Sequence, residues 1–390
     1  MQVSRRHFFL GSLALPVLAQ KKPVERPNLL LILVDNLPSW VLGSSGNKDF
    51  KTPTFDRLAQ TGTRFLNHTV ASPVPGLSRA TILTGRTPMQ LGDTDNPSVS
   101  QGSLASILSA AGYETKTADS PAAAEAVGQQ SPGKPFFLTV GCPALTPPYD
   151  AVPQKYRDLY AQAKFDTLSL QRTVAPNARD KGAYTDLLAN VRRAAAAVSS
   201  LDDDITAIFA KLSERRLLDS TAVVLTSTCG ALLGRHGLWG AGMASDPINM
   251  YEETVNTPLI WSWPGRVPAQ SVRPEMVSTY DFVPSVCDLL GVSPPSSSLC
   301  GRSYLLLVTG KPLPKKQPWR TTIFGHYQNT DLARVERYKL ISRDQGKGPG
   351  ELYDLAVDRA ESTNQYSNPQ FLTVRQSLSD SLATWKQKYS

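Results

Sequence analysis

The sequence predicts an α/β fold, a three-layer α/β/α sandwich with a mostly parallel central sheet and a small C-terminal α+β domain. Three short apolar runs, at residues 28–35, 135–141 and 220–227, are typical of strands buried on both faces of a parallel sheet. Between the second and third runs, residues 184–212 repeat apolar side chains with the 3.6-residue period of a helix. Strands that alternate with helices in this way need crossover connections, which favour parallel pairing.

The shorter elements follow from turn residues and periodicity. Four further helices are predicted at residues 54–61, 78–83, 101–111 and 277–290, the last three each followed by a glycine. A Pro/Ser-rich stretch at residues 294–298 marks a boundary. We therefore expect a larger domain over residues 26–300 and a smaller one over residues 301–390. In the smaller domain we expect strands at 321–326 and 338–342 and a terminal helix from Phe371.

Composition excludes several classes of protein. The 390 residues are 41% hydrophobic and 19% charged, which is typical of a globular chain. The net charge is +8, but Lys and Arg are dispersed without a basic stripe, so nucleic-acid binding has no support. Beyond the N-terminus no apolar run approaches the about 18 residues that span a membrane, so no transmembrane segment is expected in the mature chain. The four cysteines have no CxxC spacing.

The first residues resemble an export signal. Arg5 and Arg6 precede an apolar stretch, and residues 17–19 offer a small-residue cleavage site. The run at residues 4–10 matches the twin-arginine form, although an ordinary secretory signal with two chance arginines is the alternative. We therefore predict a signal peptide over residues 1–19 and export to the periplasm or the extracellular space.

Export would bring the cysteines into an oxidising compartment. Cys142, Cys229, Cys287 and Cys300 permit three pairings. The short loop between Cys287 and Cys300 favours this pair, but the sequence does not choose among the three pairings.

Seven segments, taken together in order and spacing, resemble the sulfatase family within the alkaline-phosphatase-like superfamily. They lie at residues 26–36, 52–59, 72–86, 234–240, 251–266, 278–292 and 351–355. The resemblance runs from about residue 26 to 365. It implies hydrolysis of sulfate monoesters by a formylglycine nucleophile, which is made from a Cys or Ser that opens a C/S-x-P-x-R motif. It also implies a calcium ion as cofactor.

At the position of the nucleophile the sequence departs from the family. The aligned run is residues 75–79, and Pro75 stands where the Cys or Ser is expected. Proline carries no oxygen, sulfur or ionisable group, so it cannot attack sulfur or become the aldehyde. Arg79, which the resemblance implies as a support for the nucleophile and its developing charge, is present. It is open at this point whether Arg79 keeps that role or instead pairs with Asp35 or caps the helix loop.

The calcium ligands are depleted in the same way. The resemblance implies two Asp after the first strand and an Asp-Asn or Asp-His pair after a later one. Here the first pair is Asp35 and Asn36, and the second is Thr228 and Cys229. Calcium prefers six or more oxygens, several of them charged, and a thiol is too soft a ligand. We expect calcium binding to be weak or absent, no other cofactor, and Cys229 to be a small buried residue.

Four further site positions carry residues that cannot act as acids, bases or cations. The Lys and His expected after the strand that follows Gly112 align with Ser120 and Ala122. A further His aligns with Thr146, and a further Lys aligns with Ala241. No remaining His has an obvious role as a general acid.

Three functions remain open. The first is a pseudo-sulfatase, a retained scaffold with a dismantled site, that binds a sulfated or anionic small molecule or glycan. The second is a working sulfate- or phosphate-ester hydrolase with an unidentified nucleophile, for which Ser72 and Ser78 are the nearby hydroxyls. The third is a structural role in assembly through Trp261 and Trp263, although these rings are more simply explained by packing within the protein.

Overall fold

A computed structural model describes residues 26–99, 102–143, 146, 149, 151–295 and 299–390. The larger of its two sheets has seven strands in the order β3-β4-β1-β5-β6-β2-β7. In chain order these are β1 (Asn28–Val34), β2 (Thr63–Thr69), β3 (Glu114–Asp119), β4 (Phe136–Cys142), β5 (Thr221–Ser227), β6 (Leu259–Ser262) and β7 (Ser271–Ser278). The short β6 pairs antiparallel with β5 and β2, and every other pairing in this sheet is parallel.

Helices cover both faces of the larger sheet. In chain order they are α1 (Pro53–Gln60), α2 (Pro75–Thr84), α3 (Leu104–Ala110), α4 (Ser120–Gly128), α5 (Gln154–Leu159), α6 (Leu187–Glu214), α7 (Glu252–Val255), α8 (Phe282–Leu290) and α9 (Leu305–Val308). One core contains Leu30, Ile32 and Val34 of β1 together with apolar residues of α1, α4, α5 and α6. The opposite core contains the alternate residues of β1 with α2, α3, α8 and α9. Every residue of β1 is buried, as expected for a central strand of a three-layer sandwich.

The second sheet is antiparallel and lies near the C-terminus. Its strands are β8 (Thr322–Tyr327), β9 (Thr330–Val335), β10 (Tyr338–Arg343) and β11 (Glu351–Asp354), in the order β11-β10-β9-β8. The terminal helix α10 (Leu372–Tyr389) packs its Leu378, Leu382 and Trp385 on one face. The other face packs against the start of α2 and the residues around Cys229. The predicted α/β/α sandwich with a small α+β domain is confirmed.

The predicted helix at residues 277–290 starts too early. Residues up to Ser278 belong to β7, because Val277 and Ser278 pair in parallel with His68 and Thr69 of β2. A capping box formed by Ser278 and Asp281 then opens the helical segment. Periodicity alone placed two strand residues in the helix, since an apolar pair fits either pattern.

The favoured pairing of Cys287 with Cys300 is wrong. All four cysteines are free thiols. Cys287 lies on α8 and faces the core between the large sheet and its helices. Cys300 packs with the cluster around α10. The two side chains therefore belong to different cores, although the loop between them is short.

Trp261 and Trp263 both pack within the chain. Trp261 lies on β6 and is 1% exposed. The indole N–H of Trp263 donates to the carbonyl of Asp219 at 2.8 Å. Both rings therefore take part in packing within the chain. In the described part of the chain, no helix combines the length and the apolar character that a membrane crossing needs.

Buried ion pairs join the C-terminal sheet region to the larger domain. Asp281 is fully buried, and the guanidinium of Arg320 binds both of its oxygens at 2.7 and 2.8 Å. Glu252 of α7 accepts from Arg334 of β9 and Lys339 of β10. Such pairs fix the position of one sheet relative to the other, because separating them would leave uncompensated charges in the interior.

Candidate functional site

The candidate site lies where β1 and β5 end. These two strands are parallel and pair Val34 with Ser227, so the residues that follow them meet at the same edge of the sheet. Asp35 follows β1 and Thr228 follows β5, and the Thr228 hydroxyl donates to Asp35 Oδ1 at 2.7 Å. The backbone N–H of Thr228 also donates to the carbonyl of Val34 at 2.9 Å. The topology thus brings the two predicted ligand pairs together.

Arg79 completes the contacts of Asp35. Its Nη2 donates to Oδ1 at 2.7 Å and to Oδ2 at 2.8 Å of the carboxylate. The Arg79 side chain is 33% exposed and that of Asp35 is 16% exposed. Of the alternatives left open by the sequence, the pairing with Asp35 is the one that the geometry contains. Because charge-assisted hydrogen bonds are the strong ones, this pair holds α2 against the end of β1.

Asn36 and Cys229 form a second contact beside the first. The Cys229 thiol donates to Asn36 Oδ1 at 3.1 Å. Asn36 has a φ of 62°, a left-handed conformation that asparagine tolerates better than most residues. Cys229 is fully buried, as the sequence analysis expected. Burial, together with the charge of Asp35, raises the pKa of its thiol, so it is protonated and serves as a donor.

Ser227 braces this edge and was missed by sequence reasoning. Its hydroxyl contacts the carbonyls of Val34 at 2.8 Å and Cys229 at 2.6 Å, and it accepts from the backbone N–H of Leu37 at 3.0 Å. These contacts fix the turns after both strands. A serine at the end of a buried β-strand carries no signal in the sequence that would distinguish it from an ordinary strand end.

Pro75 is the first residue of α2 and is half-buried. Proline suits this position because its fixed φ matches a helix and its missing N–H would have had no partner there. Arg79 follows one turn later on the same helix. Pro75, which the sequence analysis aligned with the family's nucleophile, thus has a structural use at the start of α2.

The remaining predicted positions carry no reactive group into the site. Ser120 begins α4, and its hydroxyl donates to Asp204 of α6 at 2.9 Å. Ala122 is exposed on α4, and Thr146 is exposed in the chain after β4. Ala241 packs against the apolar cluster that contains Cys229, and its neighbour Gly242 lies against Pro73.

The hydroxyls considered as replacement nucleophiles are enclosed. Ser78 is fully buried, and its Oγ has no hydrogen-bond partner among the described residues. Ser72 is 1% exposed and accepts a hydrogen bond from the N–H of Val74. Among the described residues, no hydrogen bond joins either hydroxyl to a base that could take its proton.

Cys142 lies at the end of β4, within the influence of the charges of Asp35 and Asp204. Burial raises the pKa of its thiol, and the charges of Asp204 and Asp35 act in the same direction. Burial also raises the pKa of Asp204 itself. Asp204 is the last of three consecutive Asp residues on α6. A run of charged residues of this kind is normally exposed to solvent. No sequence pattern distinguishes Asp204 from the two Asp residues before it.

The residues present do not fit a calcium ion. Asp35 Oδ1 accepts from Arg79 and Thr228, and Oδ2 accepts from Arg79. Asn36 Oδ1 accepts from Cys229. Every side-chain oxygen of the Asp35–Asn36 pair thus faces a donor hydrogen, whereas calcium needs several free and charged oxygens. Across the described ranges, no three or more His, Cys, Asp or Glu side chains cluster in a way that could hold a metal ion.

A match to a family model shows which family the chain belongs to. The family model described as Sulfatase matches residues 27–123 and 117–292. The chain belongs to the sulfatase family. A second model, described as N-sulphoglucosamine sulphohydrolase, C-terminal, matches residues 240–388 of this sulfatase-family chain. The resemblance stated from the sequence is confirmed.

Individual relatives are distant but cover most of the chain. An N-acetylglucosamine-6-O-sulfatase of Bacteroides thetaiotaomicron is 21% identical, over 95% of this sulfatase-family chain and 88% of that protein. A structure solved in complex with its substrate D-glucosamine-2-N,6-O-disulfate has a TM-score of 0.80 at 20% identity, covering 93% of this chain and 98% of that one. The phosphonate monoester hydrolase of Agrobacterium radiobacter has a TM-score of 0.75 at 18% identity, covering 94% and 96%. These structures share the fold.

Proposed function

We propose that this protein is a pseudo-sulfatase, an exported chain that retains the sulfatase fold and has lost the family's hydrolytic machinery. The observation that carries the proposal is Pro75 at the first position of α2. Sulfuryl transfer in the family requires an attacking oxygen, and proline supplies none. Replacement of both lysines and both histidines, at the positions of Ser120, Ala122, Thr146 and Ala241, removes the groups that would stabilise charge or transfer protons.

The calcium site supports the same proposal. Calcium binding at Asp35, Asn36, Thr228 and Cys229 is proposed to be weak or absent. The guanidinium of Arg79 neutralises the one carboxylate that remains. Loss of only the acidic residues would have left a cluster of uncompensated cations. Loss of acidic and basic residues together keeps the interior close to neutral. The pattern of substitutions is therefore consistent as a set.

The proposed role is binding of a sulfated or anionic small molecule or glycan. One relative of the same fold is described with a disulfated glucosamine as its substrate. The ligand class is taken from that relative. Export through the signal at residues 1–19, by the twin-arginine route, is part of this proposal, and the signal lies outside the described residues. The domain bounds 26–300 and 301–390 also remain predictions.

The test is hydrolysis of an aryl sulfate and an aryl phosphate by the purified mature protein. Each reaction is run with calcium and with a chelator, beside the Arg79→Ala and Asp35→Ala variants. The proposal predicts no turnover above background in any sample. Turnover by the unaltered chain that disappears in Arg79→Ala would contradict it and would revive a hydrolase with an unidentified nucleophile. Within the part of the chain that the structure describes, the burial of Ser72 and Ser78 argues against this alternative.

A further inference from the structure

A short segment of the chain crosses the first turn of α2. We call residues 93–96 the strap. Gly76, the second residue of α2, has no room for a side chain, because a Cβ there would overlap the side-chain oxygen of Asn96 and the carbonyl oxygen of Asp95. The strap therefore touches the turn that begins at Pro75. Gly76 has an ordinary helical position, so this contact is the reason for a glycine that helix propensity alone disfavours.

The small domain holds the strap in place at two points. The hydroxyl of Tyr327, at the end of β8, donates to Asp95 Oδ1 and accepts from Gln328 Nε2 at 2.9 Å. His326 Nε2 lies 3.3 Å from Asp93 Oδ2. The same imidazole contacts Asp331 of β9 through Nδ1 at 2.5 Å. Both carboxylates of the strap are thus bound by neighbouring residues of one strand.

The chain just before the strap is fixed by the end of the protein. The Thr87 hydroxyl donates to the carbonyl of Tyr389 on α10 at 2.9 Å, and the backbone N–H of Asp93 donates to the carbonyl of Pro88 at 3.0 Å. Lys386 of α10 binds Asp331 at 2.7 Å. Helix α10, β8 and β9 together therefore support one side of the strap, while α2 lies on the other.

The strap contacts α2 at its N-terminus, where an anion would otherwise bind. The N-terminus of a helix offers unpaired N–H groups and a positive dipole end, which favour an anion. The strap places the carbonyl oxygen of Asp95 and the side-chain oxygen of Asn96 against this turn, and Asp95 also carries a carboxylate. An incoming sulfate would meet both a steric overlap and charges of its own sign.

We propose that the strap is an internal plug, clamped by β8 of the small domain, that closes the first turn of α2 to anionic ligands. The inference goes beyond the proposed function, since it concerns access to the turn and applies with or without turnover. It also restricts a sulfated glycan, if one binds, to the surface outside this turn. The small domain thereby holds the strap in place over this turn.

A thiol placed under the strap tests the proposal directly. In a Pro75→Cys variant, the new thiol is alkylated with iodoacetate, which is anionic, and with iodoacetamide, which is neutral. The strap predicts slow alkylation by both reagents and slower reaction with the anion. Adding Tyr327→Phe removes the hydroxyl that holds Asp95 and keeps the ring. Loss of one charge-assisted hydrogen bond predicts a rise of about tenfold in the alkylation rate.

Matched variants separate the strap from general loosening. Tyr338→Phe, on β10 of the same sheet, is the control and predicts no change in rate. Labels are located by mass, since global unfolding would also label the buried Cys142 and Cys229. Should Tyr327→Phe unfold the chain, Gly76→Ala is the second variant, because its methyl group displaces the strap from the helix side and predicts the same rise.

Two results would overturn the inference. One is a Pro75→Cys thiol that reacts as fast in the folded protein as in urea. The other is an unchanged rate in both Tyr327→Phe and Gly76→Ala while these variants remain folded. Neither result depends on turnover. Hydrolysis by the natural chain would contradict the pseudo-sulfatase and leave the alkylation result standing.

Discussion

Asp35 accepts hydrogen bonds from Arg79 and Thr228 at the edge of the larger sheet, and these contacts explain most of the chemistry of the site. A partly buried carboxylate needs a counter-charge, because the interior does not solvate it. The resemblance to sulfatases implies that a calcium ion, bound by several acidic ligands, supplies this counter-charge in the family. In this chain an internal cation, Arg79, satisfies the single carboxylate that is left.

The sequence identified every residue of this contact but not their arrangement. Asp35, Asn36, Thr228 and Cys229 were found by alignment with a family pattern. Which donor faces which oxygen depends on the register of β1 with β5, and on the angle at which α2 approaches. A register of this kind is set by long-range pairing that no local pattern encodes.

His68 is a buried histidine whose protonation can be tested by a single substitution. Its imidazole is 3% exposed and contacts the Thr257 hydroxyl at 2.8 Å. Burial lowers the pKa of His68 from 6.5 to about 4. The folded state therefore keeps the ring neutral, while the unfolded chain binds a proton below the ordinary pKa.

We expect His68 to make the protein sensitive to mild acid. Its contribution is fully present above pH 6.5 and is lost as the pH falls towards 4, a total of about 3 kcal/mol. The free energy of unfolding in urea, measured at intervals across this range, should show a slope that His68→Gln reduces. An identical slope in the variant would show that His68 is not buried in the neutral form.

Helix α1 shows how an element depends on a distant one. Its first N–H groups have no partners within the helix, and Thr52 at the N-cap makes no side-chain cap. Asp202, in the middle of α6, supplies the cap instead. Its carboxylate accepts from the N–H of Thr54 at 2.9 Å and of Phe55 at 2.9 Å. The sequence predicted both helices correctly, but a cap from 148 residues away leaves no local signature.

The cap predicts a measurable cost at the scale of the element. Asp202→Ala removes the acceptor and leaves buried N–H groups without a partner, so the free energy of unfolding should fall by about 2 kcal/mol. Asp203→Ala, on the neighbouring residue with an exposed side chain, is the control. Its contacts with Lys155 and Tyr156 lie at the surface, so a loss below about 1 kcal/mol is expected. Equal losses in urea unfolding would refute the capping role.

At the scale of the whole molecule, the two sheets are joined by charges as well as by apolar packing. Strands β1, β4 and β5 of the larger sheet were predictable because each is a continuous apolar run. Strands β2, β3, β6 and β7 escaped prediction because each is short or rich in polar residues, and β3 has no fully buried residue. Their presence follows from tertiary pairing, which overrides weak local preference.

The link between the sheets predicts a large effect from one buried arginine. Arg320→Ala would leave Asp281, which is fully buried, without its partner. Breaking such a pair costs about 3–5 kcal/mol. Arg337→Ala is the control, because Arg337 binds Asp354 with a side chain that is 55% exposed. For this variant we expect the free energy of unfolding to fall by less than about 1 kcal/mol. Thermal and urea unfolding of both variants measure the difference, and similar small losses would contradict a structural link at Asp281.

The central claim is that Arg79 is the counter-ion of Asp35 in place of calcium, and calcium titration by calorimetry tests it most directly. Weak or no calcium binding is expected for the natural chain. The triple variant Asn36→Asp/Thr228→Asp/Cys229→Asn restores the family's donor types and should gain binding, with stabilisation of about 2.7 kcal/mol at calcium concentrations 100-fold above its Kd. Tight calcium binding by the natural chain that is lost in Asp35→Ala would contradict the pairing of Arg79 with Asp35 in place of calcium.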